Sequence, residues 1–307
     1  MSLSEEYFQY PHRKHGMDHD LYPWSNIQNR KEVFWPDNKK IALWITVALE
    51  YFPLTPNDGP FRAPGHMVTP YPDYRTYTTR DYGNRVGIFR IMKVLDALGL
   101  KASAPMSSEI ATRYPALLNA VVKRDWEIVG HGKDMNHIHY GGLEKKVEAE
   151  QIKECLATLR GASGQNVSGW LSPARSESNN TLELLVENNI GYGCDWVNDD
   201  MPYSMNTPAG SLLAMPHTME LEDWHLMVSL GQNEETYAEQ VMEAFKFLTS
   251  EAETSGGRIL HLSLTPYVIG QPFRIHILKT ILSKLVESGD IWNATGAEIA
   301  QQWRNQQ

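Results

Sequence analysis

The chain has 307 residues, 42% of them hydrophobic, with 28 Lys and Arg against 37 Asp and Glu and a net charge of -9. That length suits one large α/β domain, and the acidic balance argues against nucleic acid and anionic membrane surfaces as partners. Only two cysteines, an amino-terminal stretch without an apolar leader, and no apolar run of membrane-spanning length point to a reducing, cytoplasmic setting.

No linker-like composition shift divides the chain. Residues 1–40 read as an irregular arm, anchored by Trp24, Phe34 and Trp35, packed on a single domain over 41–307. His12, His15 and His19, with Asp18 and Asp20, match no standard zinc spacing and read as surface. Ile41 to Leu49 is an unbroken apolar run of strand type that delivers Glu50 to its carboxyl end. Residues 53–80 form a long Pro- and Tyr-rich segment, of the kind that covers a site or makes a subunit contact. His66 within it reads as a loop residue. Val86 to Leu98 is an amphipathic helix stopped by Gly99, and Asp81 and Arg85 before it form either the mouth of a site or an ordinary ion pair.

Lys101 to Met106 is a second strand, and Pro115 opens a helix. Trp126 to Gly130 is a third strand and leads into His131. His137 and His139 follow, sharing a face only if the segment is extended. Leu143 to Leu159 is a charged amphipathic helix with Cys155 among its core positions. A short apolar run, Val167 to Leu171, ends in Ser172-Pro173-Ala174-Arg175. A helix from about Asn180 follows, then a strand-like run, Tyr192 to Asp195, which breaks into Trp196-Val197-Asn198-Asp199-Asp200. Ser211 to Pro216 is a strand ending at His217, and Glu234 to Ala252 is a long helix. Arg258 to Leu264 is a strand that ends at Thr265-Pro266-Tyr267, with His261 inside it reading as a core histidine. Asp290 to Ala294 is the last strand, and Thr295 to Glu298 caps the terminal helix.

Strands alternating with helices imply a parallel sheet, and seven or eight such units suggest a distorted (β/α) barrel, closed or slightly open. Glu50, His131, Arg175, Asp195 and Thr265 all fall just past strand ends, where parallel barrels and sheets hold their chemistry.

Gly169-Trp170 followed by Arg175-Ser176-Glu177 and Asn180-Thr181, and then Asp195 to Tyr203, resemble motifs of the polysaccharide deacetylase (NodB-homology) superfamily. Residues 80–87 (RDYGNRVG) and 264–274 (LTPYVIGQPFR) are similar to motifs of its allantoinase-like branch, some of whose members are metal-independent amide hydrolases. The resemblance covers roughly Ile41 to the carboxyl terminus. It implies catalytic roles for Glu50, His131 and Arg175, with Arg85, Asp195, Asn198, Asp199, Thr265 and Tyr267 binding substrate, and it implies a homo-oligomer. The chain departs from the family pattern in three places. The family usually has paired acids where this chain has Glu50-Tyr51. Metal-dependent relatives place two histidines four apart where this chain has His131 and Met135, and many carry a histidine at the position of Thr265.

Amide hydrolysis needs an activated water, a group that stabilises the oxyanion and an acid for the leaving nitrogen. Glu50 as base, Arg175 at the oxyanion or a substrate carboxylate, and His131 as proton donor meet those needs. The expected function is therefore hydrolysis of a non-peptide C–N bond in a small amide, ureide or N-acetyl substrate, with no cofactor. Two other readings stand beside it. One is a metal-dependent deacetylase of N-acetylated sugars using zinc or another divalent cation on Glu50, His131 and His137 or His139. The other is a degenerate member that binds a ligand without turnover. No nucleophile elbow, phosphate loop or dinucleotide fingerprint is present.

Overall fold

The structure is a computed structural model that describes residues 16–55 and 72–307. Its centre is β1, Ile41–Val47, a strand buried at every position. Ile41, Leu43, Ile45 and Val47 point to the helices, while Ala42 and Trp44 belong to the cluster inside the curved sheet. A strand covered on both faces reads as a continuous apolar run, which is why no alternation appears in its sequence. On one side β1 pairs along its whole length with β8, Arg258–Leu264. Its other side is shared: residues 41–44 pair with β9, Ile291–Ala294, and Thr46 pairs with β2, Ser103–Met106. Asn293 fills the fork, donating to the carbonyls of Leu43 and Lys101 and accepting from the Lys101 amide.

Beyond β2 come β3, Glu127–Gly130, then β4, Gly169–Trp170, and β5, Tyr192–Gly193. The sheet of nine strands is parallel except at one edge. There β6, Tyr203–Thr207, runs antiparallel to β7, Gly210–Ala214, which itself pairs parallel to β5. The two ends of the strand order, β6 and β8, do not pair, so the barrel is open. The distorted (β/α) barrel expected from the alternation is the fold observed. The sequence reading missed β6, whose run Tyr203-Ser204-Met205-Asn206-Thr207 buries only Met205 and so carries little apolar signal.

Helices cover the outer face: α1 Tyr74–Tyr82, α2 Ile88–Leu98, α3 Ser108–Arg113, α4 Pro115–Val122 and α5 Lys145–Ser163, followed by α6 Thr181–Glu187, α7 Glu234–Ser255, α8 Pro266–Ile269, α9 Ile275–Glu287 and α10 Gly296–Arg304. The helix expected from Val86 begins twelve residues earlier, at Tyr74, because Asp73 caps it through the Thr76 amide. Between α1 and α2 the chain makes a wide turn, Gly83–Gly87, with the Ile88 amide bonded to the Gly83 carbonyl. The terminal helix α10 carries a full capping box on Thr295 and Glu298. Its start meets Glu127 on the sheet interior, where Ser103, Tyr192 and the Ala297 amide all donate to the carboxyl group.

The described part of the arm, from Gly16 to Lys40, is irregular. Trp35 is the anchor, buried and donating its indole N–H to the Arg258 carbonyl. Trp24 and Phe34 are not anchors: they are 68% and 60% exposed. Tyr22 packs edge-on against Trp196 and Tyr203. His12, His15 and His66 lie outside the described residues. Cys155 and Cys194 are both buried free thiols. Among the described residues no helix is long and apolar enough to cross a membrane.

Gly87 and Gly270 set the spacing at the end of β8. A Cβ on Gly87 would lie 2.0 Å from the Pro266 carbonyl oxygen, and one on Gly270 would lie 2.5 Å from the Gly87 Cα. Gly87→Ala therefore forces α2 away from the β8–α8 turn. It is expected to destabilise the fold by about 1–3 kcal/mol, read as a lower urea midpoint at unchanged slope.

Candidate active site

Successive inward positions on the strands stack into layers. Along β1 the layers are Trp44, Thr46 and, beyond the strand, Glu50; along β3 and its exit they are Glu127, Val129 and His131. The middle layer holds two histidines. The Thr46 hydroxyl lies 3.2 Å from His217 Nε2 and 3.0 Å from His261 Nε2, and the two rings meet at a tilt of 44° with centroids 4.1 Å apart. Burial holds both imidazoles well below their ordinary pKa, reinforced for His217 by its histidine neighbour and for both by Arg175. They are neutral over the physiological range. His217 Nδ1 is buried without a partner among the described residues, and His261 Nδ1 meets the Thr218 hydroxyl at 3.3 Å.

Above them sits the ionisable group. His131, 2% exposed, donates from Nδ1 to the Leu171 carbonyl at 2.6 Å, which leaves Nε2 facing Glu50 Oε1 at 3.5 Å. The Glu50 side chain is 22% exposed, and its backbone carbonyl accepts from Asn84. Arg175 emerges from a tight turn, Pro173–Arg175, in which Ala174 and Arg175 both have positive φ. Its guanidinium donates to the His217 carbonyl at 2.6 Å. Glu222, on the segment before α7, accepts from Ser263 at 3.4 Å. Burial pushes the Glu222 carboxyl above its ordinary pKa, Arg175 pulls it down, and the charge of Glu50 raises it again.

Asp223 next to it is fully buried and receives the Thr265 amide on both oxygens at 2.9 Å. Burial pushes its pKa up to about 8. Thr265 thus acts through its backbone, as the cap of α8. Tyr267, two residues on, faces Glu50 and the buried guanidinium of Arg80, and both burial and the Glu50 charge push its hydroxyl up.

Several expected site residues are engaged elsewhere. Arg85 is 74% exposed and pairs with Asp81 at 3.5 Å on the helix surface, so it is not brought to the site. The buried cation of that motif is Arg80. Asp199 holds Arg30 of the arm at 2.5 Å and the Met201 amide at 2.9 Å. Asn198 bridges the Tyr22 and Tyr203 hydroxyls. Asp195 receives the Ser172 amide at 2.9 and 3.2 Å and lies beside Glu177. Burial and the Asp195 charge push Glu177 well above its ordinary pKa, while the Ser172 amide and Arg175 pull Asp195 down against its burial. Arg175, Glu177, Asp195, Trp196, Asn198 and Tyr22 line a cavity of about 380 Å³ that meets the ionisable group only at Arg175.

The residues that a divalent cation would require do not converge. Met135, four after His131, is 3% exposed and packs with Phe52, Ile138 and Ala174. His137 Nδ1 is bonded to Asp134 at 2.7 Å, and His139, 1% exposed, is bonded to Glu148 at 3.0 Å. Glu148 in turn takes the hydroxyls of Ser178 and Thr181 at 2.5 Å each, and this buried network ties α5 to α6. Among the described residues no three His, Cys, Asp or Glu side chains are grouped to hold an ion. The donor set present does not fit one.

An open parallel barrel with its ionisable side chains at the carboxyl ends of the strands belongs to the α/β barrel class that carries catalytic sites on its βα loops. The polysaccharide deacetylase family model matches residues 70–193. A Schizosaccharomyces pombe protein described as "Putative polysaccharide deacetylase" is 25% identical over 295 residues, covering 88% of this chain and 92% of that protein. The solved structure of the Puue allantoinase superimposes with a TM-score of 0.82 at 24% identity, over 92% of this chain and 98% of that one. That of a "probable Polysaccharide deacetylase" from Pseudomonas aeruginosa PAO1 gives 0.80 at 24% identity, over the same shares. Over residues 70–193 the chain thus resembles the polysaccharide deacetylase (NodB-homology) superfamily, and over nearly its whole length it shares the fold of these structures.

Asp223 gives this region a pH signature. Its folded pKa of about 8 lies above its ordinary value of 3.8, so the folded state holds a proton that the unfolded chain releases. Its contribution is largest below pH 4 and is lost as pH rises towards 8. Asp223→Asn, which keeps an acceptor for Thr265, is expected to gain stability relative to the parent across that window. Urea unfolding of both proteins at several pH values checks the slope.

Proposed function

We propose that the chain hydrolyses a carbon–nitrogen bond, other than a peptide bond, in a small amide or ureide. The observation that carries this reading is the approach of Glu50 to His131, with Glu222 close enough to feel the charges of both Arg175 and Glu50: two carboxyl groups of unlike surroundings near one cation. Groups whose environments separate their proton affinities divide into acid and base. Glu50, the more open of the two, takes a proton from water as its oxygen attacks the carbonyl carbon. His131, its ring fixed by the Nδ1–H bond to the Leu171 carbonyl, presents Nε2 to Glu50 and shares the proton that the carboxylate takes from water. Arg175 stabilises the charge that develops on the carbonyl oxygen. As the C–N bond breaks, Glu222, its pKa raised by burial, gives its proton to the leaving nitrogen. The presence of an allantoinase among the similar structures supports a ureide as the substrate class, and the donor set around His131 supports a reaction run by side chains alone.

Glu50→Gln is expected to lower turnover of allantoin about 10²- to 10⁴-fold with circular dichroism unchanged. Turnover within threefold of the parent would refute the assignment. If N-acetylglucosamine is the better substrate of the parent protein, the ureide preference is wrong while the role of Glu50 still stands. Glu222 works as an acid, so the rate should fall as pH rises through its raised pKa. Glu222→Gln is expected to be slower and to lose that alkaline limb in a pH–rate profile.

A further inference from the structure

The Arg80 side chain is 6% exposed, and its Nη1 has no hydrogen-bond partner among the described residues. Its guanidinium stacks on Phe52, 3.7 Å from the ring centroid, and Tyr267 lies near enough to act on its charge. The charges nearest to it are those of Glu50 and Asp73, yet no ion pair within 4.0 Å joins it to a carboxylate of the described residues. Burial lowers its pKa, as expected of a cation withdrawn from water without a close counter-charge. A buried N–H left unpaired on a charged group is among the costliest arrangements in a folded protein and needs a reason.

The backbone shows how the position is held. Gly83 lies against Tyr267, where a Cβ would sit 2.9 Å from the Tyr267 amide nitrogen, and the Pro266 carbonyl occupies the space a Gly87 side chain would need. The end of α1, which carries Arg80, is thereby clamped to α8, which carries Tyr267. Phe52 leaves β1 two residues after Glu50 and packs on Met135 and Ala174, the neighbour of Arg175. The apolar cluster thus spans the mouth from Arg80 to the turn that carries Arg175.

We propose that Arg80 is a substrate-anchoring residue whose free Nη1 donates to a second carbonyl or carboxylate oxygen of the substrate, beside Glu50 and across the mouth from Arg175. This rests on the hydrolase reading for the identity of the site and adds a requirement to it. The substrate carries an oxygen acceptor besides the amide that is cleaved, and a simple acyl amide lacks the group that Arg80 takes. Phe52 and Tyr267 hold the fork in its plane, so the energy of the new hydrogen bond is not offset by ordering the side chain on binding.

Calorimetric titration with oxamate, an amide bearing a carboxylate, and with acetamide, which has no second acceptor, tests this independently of turnover. The parent protein is expected to bind oxamate at least tenfold more tightly than acetamide. Arg80→Met should bind oxamate about ten- to a hundredfold more weakly, with acetamide unchanged. Arg80→Lys keeps the charge without the fork and serves if the methionine variant does not fold; it should show an intermediate loss. In turnover of allantoin the loss should appear in KM, with kcat within about threefold, whereas a structural role would lower the unfolding temperature and leave KM alone. Equal binding of oxamate by the parent and by a folded Arg80 variant, or no oxamate binding by the parent at millimolar concentration, would overturn the assignment. Glu50→Gln separates the two claims. Retained turnover there sinks the hydrolase mechanism without touching the oxamate titration, and retained oxamate affinity in the Arg80 variants sinks the anchor without touching Glu50.

Discussion

Strand β1 is bonded to three others, and the position of every ionisable group in the site follows from that. Full-length pairing with β8 fixes the level of Thr46 against Ser263, and the fork between β9 and β2 fixes it against Ser103. Thr46 and Trp44 then both reach the paired histidines, Thr46 through its hydroxyl and Trp44 through its ring, and Glu50 emerges two inward positions beyond Thr46, facing His131. The apolar residues of β1 supply the burial that holds this arrangement. A substitution such as Ile45→Ala would therefore reach the site through strand position more than through any direct contact.

Charge inside the barrel is organised around Arg175. Its guanidinium helps keep His217 and His261 neutral, pulls Asp195 and Glu222 down against their burial, and is itself seated on the His217 carbonyl. Two successive residues at positive φ, Ala174 and Arg175, turn the chain sharply enough to aim that side chain inward. Around His131 the surroundings differ from those of a metal site. Met135 has become part of an apolar wedge with Phe52, while His137 and His139 are each held by a carboxylate of their own. The Glu148 network that claims His139 is a packing device, centred on a fully buried carboxylate and shared among four side chains.

Much of the fold was legible because parallel strands buried on both faces announce themselves as apolar runs and place polar residues at their exits. That reasoning reached Glu50, His131 and Arg175, which the structure brings together, and Thr265, which contributes its amide. It did not reach Glu222, which sits on a connecting segment with no strand ahead of it, nor His217 as the partner of His261, since their contact depends on the curl of the sheet. Arg80 and Arg85 stand in the same short motif, and sequence cannot tell which of the two faces inward. The helix phase set by the Asp73 cap and the wide turn at Gly83–Gly87 decides it. Asn198 and Asp199 looked like pocket residues because they follow a strand, yet the arm claims them through Tyr22 and Arg30. Residues so distant in the chain give no local signal of their pairing.

The central claim is that side chains alone supply the base, the acid and the oxyanion partner. Elemental analysis of the purified, untagged protein, with allantoin turnover measured before and after chelation, tests it most directly. The account predicts no stoichiometric metal and a rate that chelation leaves unchanged. About one zinc or similar ion per chain, removed together with activity and restored with it, would contradict the account and assign His131 and Glu50 to a cation.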